Sequence, residues 1–268
     1  MATDILEIYN LALVRLGEDR LATIEDDSEP RRKLDAIYDN ILEQVTVAGP
    51  QKGWKFAKVE LPVSVDSASI TFIHDYESEV SGTILIVSAA HGLITGDLAI
   101  ISGTTNYDDE YQVTVVDADA LYVTATFVAV GDYVGRTDVT ISWTSADYAY
   151  RYAIPSASKR VVKASVLGIE LTDWITRGEW VLTSLEDEKI WIEYVQSITT
   201  TTLFPAHFTK VLVLSLAVEL SYNLIQSSIH SERLLIELQD IVLPKAIALD
   251  EQEKYVKESS DSWVDAGR

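Results

Sequence analysis

The apolar residues of this chain keep two different periods. From 4 to 16 they recur at helical spacing (Ile5, Ile8, Tyr9, Ala12, Leu13, Leu16), with Thr3 placed to cap the start and Gly17 to end it. After a loop at 18–27, Ser28 and Pro30 open a second helix with an i, i+3, i+4, i+7 stripe of Leu34, Ile37, Tyr38, Ile41, Leu42 and Val45, and Gly49-Pro50 stops it. Between 63 and 145 the period changes. Short β-branched and aromatic runs (84–87, 98–101, 112–116, 121–124, 139–143) alternate with turn clusters such as His91-Gly92, Thr95-Gly96-Asp97, Gly103-Thr104-Thr105-Asn106, Asp117-Ala118-Asp119 and Gly131-Asp132. Strands at this spacing predict a small sandwich or barrel.

Residues 148–165 read as extended chain, with Pro155 excluding a helix there, and 168–194 also look β-like, weighted by Trp174, Trp180 and Trp191. Four threonines at 199–202 form a linker, and Phe204-Pro205 starts a third helix that runs to about 225. That helix is apolar on nearly every face, as a central buried helix must be. Ser228 or Ser231 caps a fourth helix, where Pro244 should kink or break the run. Residues 258–268 are polar around a single Trp263 and read as a flexible C-terminal tail.

The pattern predicts an α+β chain. A discontinuous helical-bundle domain of about four helices with a few strands (1–62 and 146–257) carries an inserted small all-β sandwich or barrel domain (63–145), followed by the tail at 258–268.

Charge sharpens this picture. The chain carries 42 Asp+Glu against 21 Lys+Arg, a net charge of −21. The stretch 63–145 holds twelve acids and the single base Arg136, and no proline. Nucleic-acid binding through phosphates needs an excess of Lys and Arg, and the one basic cluster is Arg31-Arg32-Lys33, so a polyanion-repelling surface is expected. There is no cysteine, which excludes disulfides, thiolate chemistry and thiolate-ligated metals. The first residues carry no signal-peptide pattern, no stretch reads as a membrane span, and a soluble protein is expected.

Catalytic patterns are lacking. The four histidines (His74, His91, His207, His230) have no HxxxH or HExxH spacing, no serine lies in GxSxG, and no Walker or GxGxxG loop occurs. His91 fits a turn, and His207 a structural or interface position at the start of the third helix. Asp108, Asp109, Glu110, Asp117 and Asp119 offer oxygen ligands for calcium, but lack EF-hand spacing and are ordinary as solvated turn acids. No cofactor, no metal site and no enzyme activity are expected. Trp263 stands alone in a polar segment, where it suits either a docking anchor or packing onto the fourth helix.

The flanks, taken together, resemble the head-to-tail adaptor proteins of tailed bacteriophages. The resemblance is carried by Leu16-Gly17-Glu18, Ile24, Arg31-Arg32-x-Leu34, Gly53-Trp54-x-Phe56, Tyr150-Arg151-Tyr152-x-Ile154-Pro155, Ile192-x-Tyr194, Phe204-Pro205-x-x-Phe208 and Leu216-Ala217-x-Glu219-Leu220, in that order. The stretch 63–145 departs from shorter relatives. It resembles β modules of phage virion proteins through His91-Gly92-Leu93-x-x-Gly96-Asp97, Gly103-Thr104-Thr105-x-Tyr107 and Tyr111-x-Val113-x-x-Val116-Asp117.

The resemblance implies a structural virion protein, assembled in the host bacterial cytoplasm. It would form a ring of twelve subunits between the portal protein and a tail or nozzle protein, with DNA passing through unbound. Trp263, Val264 and Arg268 are then the portal-docking residues, Arg31 and Arg32 contact subunits or partners, and the β domain faces a tail fibre. No membrane partner is implied. The alternatives are a glycan- or surface-binding β module on an oligomerising helical domain, and a hydrolase using two turn acids.

Overall fold

The computed structural model describes residues 4–75, 82–128, 139–185, 189–224 and 228–253. The chain divides into two compact units. The first comprises Met1–Val59, Ala157–Val162 and Tyr194–Arg268, and the second Glu60–Ser156 and Lys163–Glu193.

The first unit is built on helices. Helix α1 (Ile5–Leu16) is capped by Asp4, whose carboxylate accepts the Glu7 N–H at 2.7 Å, and Thr3 lies outside the described residues. Gly17 closes it in the left-handed region (φ 78°), donating to the Leu13 and Val14 carbonyls. Ser28 caps α2 (Glu29–Val47), with Pro30 in its first turn. Helix α3 (Ala206–Leu224) packs against α1 and α2, and Phe208, Leu212, Leu216, Ala217 and Leu220 are fully buried along it.

The last helical stretch is α4 (Ser228–Ile236), a π-helical segment (Glu237–Val242) and α5 (Leu243–Gln252). Pro244 has no N–H for the Asp240 carbonyl, and its ring would press on that carbonyl in a regular helix. The wider π turn, in which the Leu243 N–H donates to the Leu238 carbonyl, absorbs the misfit. The helix therefore continues through Pro244 instead of breaking there.

One core joins these helices to the turn after α2. Trp54 is completely buried, and its Nε1–H donates to the Val45 carbonyl at 2.9 Å. Its ring stands edge-on to Phe208, 5.4 Å between centroids. A Cβ at Gly49 would come within 2.1 Å of Trp54 Nε1, so only glycine fits beside the indole. Gly53 holds φ +73°, and a Cβ there would meet Val195 at 2.5 Å.

Fourteen strands lie among the described residues: β1 (Lys58–Ser64), β2 (Ser67–Ser69), β3 (Phe72–Asp75), β4 (Thr83–Val87), β5 (Leu98–Ser102), β6 (Asp109–Val115), β7 (Ala120–Thr124), β8 (Thr140–Thr144), β9 (Tyr150–Ala153), β10 (Ser158–Val166), β11 (Ile169–Glu170), β12 (Trp174–Arg177), β13 (Trp180–Thr183) and β14 (Lys189–Gln196). They form three sheets, ordered β2-β8-β5-β6-β7-β4-β3, β12-β13-β9 and β1-β14-β10-β11.

In the seven-stranded sheet β6 changes partner along its length: Asp109–Gln112 pair with β5 and Val113–Val115 with β7. That switch lets the sheet turn about its own core of Ile70, Ile84, Ile86, Ile101, Leu121, Val123 and Ile141, supplied by alternate strand positions.

The expected helical bundle with a few strands and a small inserted β domain is therefore corrected. Fourteen strands in three sheets stand against four helical stretches, the last of them running from α4 through the π segment to α5. Residues 146–156 and 163–193, read from sequence as part of the helical domain, belong to the second unit. Their strands pair over distance, as in Trp180 with Ala153 and Thr183 with Tyr150, which short-range periodicity does not display.

Tyr38 supplies a pH signature for the first unit. Its ring is buried edge-on to Tyr9, and its hydroxyl has no hydrogen-bond partner. Burial, reinforced by the Asp39 charge, pushes its pKa up to about 12. Tyr9 shifts the same way through burial, its hydrogen bond to Asp35 and that carboxylate's charge. A raised folded-state pKa contributes stability that is complete below pH 10 and is lost as pH climbs through about 12. Tyr38→Phe should flatten the stability loss between those pH values in urea titrations and be neutral at pH 7, because it removes an unpartnered buried hydroxyl. A cost above ~1 kcal/mol at pH 7 would contradict the unpaired hydroxyl.

Candidate functional site

In the first unit the turn at Trp54-Lys55 and the end of α5 are fastened together. Asp250, 2% exposed, takes the Lys55 backbone N–H on both oxygens, at 3.2 and 3.3 Å. His207 Nε2 lies 3.4 Å from the same carboxylate, and His207 Nδ1 lies 3.7 Å from Glu253. Lys55 Nζ donates to the carbonyl of Glu251 at 2.8 Å and to that of Glu253. A lysine at the C-terminal end of a helix complements both the free carbonyls and the helix dipole.

His207, Asp250 and Glu253 are the one group of three His, Asp or Glu side chains among the described residues close enough to share an ion. The geometry favours a hydrogen-bonded latch. The two carboxylates face different ring nitrogens, whereas one ion can use only one of them, and Asp250 is already engaged by the Lys55 N–H. His207, at the start of α3, thus stands between two acidic side chains. Sequence spacing gave no signal for the latch, because Asp250 lies 43 positions from His207 and 195 from Lys55.

Beside the latch lies a groove of about 440 Å³ between α1, α3 and the stretch from the π segment into α5. Leu11, Val14, Val213, Ile241 and Leu249 supply its apolar surface, with Arg15, Lys210 and Lys245 around it and His207 in its wall.

Arg31 and Arg32 diverge. Arg31 is half-buried, donating to the Ile24 carbonyl at 3.2 Å and pairing with Asp35 at 2.8 Å, so it staples the loop before α2 to the helix. Arg32 is exposed and pairs with Asp27 at 2.7 Å. Trp263, Val264 and Arg268 lie outside the described residues.

In the second unit Arg151 is buried and clamped. Its Nε donates to Asp66 at 2.5 Å, another guanidinium N–H donates to the Gly92 carbonyl at 3.0 Å, and its plane lies over Trp180 at 4.2 Å. The Tyr150-Arg151-Tyr152 motif is therefore a structural strut. His91 is buried too: Nδ1 accepts the Leu93 N–H, leaving Nε2–H for the Asp117 carbonyl at 3.1 Å. The turn acids serve their own backbone. Asp108 accepts from Gly103 and Thr104, Asp117 from Asp119, and Asp119 from Ala90.

No helix among the described residues is long and apolar enough to cross a membrane. Comparison with protein-family models and with curated proteins gives no match to this chain.

The latch is directly testable. Asp250→Ala should destabilise the first unit by about 3 kcal/mol in chemical denaturation, because a buried acceptor shared by an amide and an imidazole is lost. Asp250→Asn, which keeps an acceptor for Lys55, should cost less than half as much. Equal costs would show that the Lys55 hydrogen bonds contribute nothing.

Proposed function

We propose that this chain is a ring-forming adaptor of a tailed-phage virion, joining the portal to the tail and continuing the DNA channel. One observation carries the reading. Two motifs of the adaptor resemblance, distant in sequence, meet in a single core: Gly53-Trp54-Lys55-Phe56 and Phe204-Pro205-Ala206-His207-Phe208. Phe208 lies 5.4 Å from Trp54, 4.7 Å from Phe56 and 5.1 Å from Phe204, centroid to centroid. Each motif is short, but their convergence explains why both are present in one chain.

The charge supports the same reading. A protein with net charge −21 repels nucleic acid, which suits a conduit through which DNA must slide. The lack of GxSxG, HExxH and Walker patterns in the sequence fits a connector better than an enzyme. In this proposal Trp263, Val264 and Arg268 contact the portal protein, and exposed Arg32, with Arg31 behind it, meets a neighbouring subunit or partner. A ring of identical subunits uses two different patches of each. The chain also joins a tail or nozzle protein, and its second unit binds a tail fibre.

Native mass spectrometry of the chain mixed with its cognate portal protein tests this. The expected result is one closed complex of fixed stoichiometry, twelve adaptor subunits to a portal ring. Two separate species across a tenfold concentration range would overturn the proposal.

A further inference from the structure

The groove between α1, α3 and α5 is a local inversion of this protein's surface. Leu11, Val14, Ile241 and Leu249 remain 37, 52, 60 and 42% exposed along it, an uncovered apolar floor. Three cations line the groove too, and no carboxylate does so among the described residues, in a chain with twice as many acids as bases. Arg15 shares its charge with Glu237 at 3.1 Å, whereas Lys210 and Lys245 form no ion pair among the described residues. An occupant matched to this site has a large apolar group bracketed by acids.

We propose that the occupant is the C-terminal segment of the same chain, with Trp263 and Val264 on the apolar floor and Asp261 and Asp265 set against Lys210 and Lys245. The sequence Asp261-Ser262-Trp263-Val264-Asp265 carries the required pattern, an aromatic–aliphatic pair between two carboxylates. The point of departure also fits. Glu253, the last described residue before the segment, sits 3.7 Å from His207, and His207 lines the groove. The chain therefore leaves α5 at the groove's own wall.

The reach suffices. Trp263 lies ten residue steps beyond Glu253, at most about 35 Å when extended, against roughly 15 Å for the length of α5. Tethering also holds the segment near the groove at an effective concentration of the order of millimolar, so a modest contact is well populated. The contact goes beyond the adaptor reading and does not need it. Should the chain also dock on a portal through Trp263, the same residue would have to leave the groove first.

The lack of native cysteine makes the test clean. In the full chain, the pair Val14→Cys and Val264→Cys joins an exposed groove position to the segment, with Ile241→Cys as a second groove position. Ile229→Cys, at an 80% exposed site outside the groove, is the control partner for Val264→Cys. Under a mild thiol oxidant, both groove pairs should close to intramolecular disulfides at least tenfold faster than the control pair. Adding Trp263→Ala, or Lys210→Glu with Lys245→Glu, should abolish that advantage. Equal rates for groove and control pairs would overturn the proposal. So would disulfide-linked dimers in place of closed monomers, which would give the groove to another copy's segment. No portal is present in this experiment, so its failure is separate from failure of the adaptor reading.

Discussion

The first unit depends on the burial of one indole. Trp54 sits between the end of α2, whose Val45 carbonyl takes its N–H, and the start of α3, whose Phe208 ring stands perpendicular to it. Placing Trp54 fixes Lys55 next to it, and Lys55 holds the end of α5 through its amide, Asp250 and the last helical carbonyls. Three parts of the chain, around 45–56, 204–208 and 250–253, are thereby joined by one short turn. Removing water from the indole supplies the driving force, and the hydrogen bonds prevent the buried amide and carboxylate from opposing it.

The second unit solves the same problem differently. Its polar anchor is Arg151, a guanidinium held by Asp66, the Gly92 carbonyl and the Trp180 ring. A buried charge is tolerable only when its hydrogen bonds are made, and here a carboxylate and a carbonyl make them. The seven-stranded sheet then curls about an aliphatic core because β6 changes partner midway. Acidic turns follow from this architecture: Asp108, Asp117 and Asp119 are backbone acceptors that shape loops. The excess of acids in this stretch is thus partly a structural requirement of tight turns.

What could be read from sequence was local. The α2 stripe, the Ser28 cap and the Gly17 stop are short-range signals, and the helices follow them. β-Branched and aromatic runs between turn clusters marked the strands at 83–87, 98–102 and 120–124 for the same reason. The balance of the fold was not legible, because β9, β12 and β13 gain their stability from one another and from Arg151. Pro244 shows the limit of a local rule: an isolated helix would break there, but the π turn holds the stretch together. Of the candidate site, His207 was visible as a helix-start residue. Asp250 and Lys55 were invisible, since nothing in their spacing announces a meeting across 195 positions. The groove was hidden for the same reason, being assembled from α1, α3 and α5.

The fastening of Lys55 to Asp250 is the central claim, and native-state hydrogen exchange of the Lys55 amide tests it most directly. If the turn at Trp54 locks the first unit, that amide should exchange only through global unfolding, with the same free energy as the slowest amides of α3. Exchange at the rate of an exposed loop amide, while α3 stays protected, would contradict it.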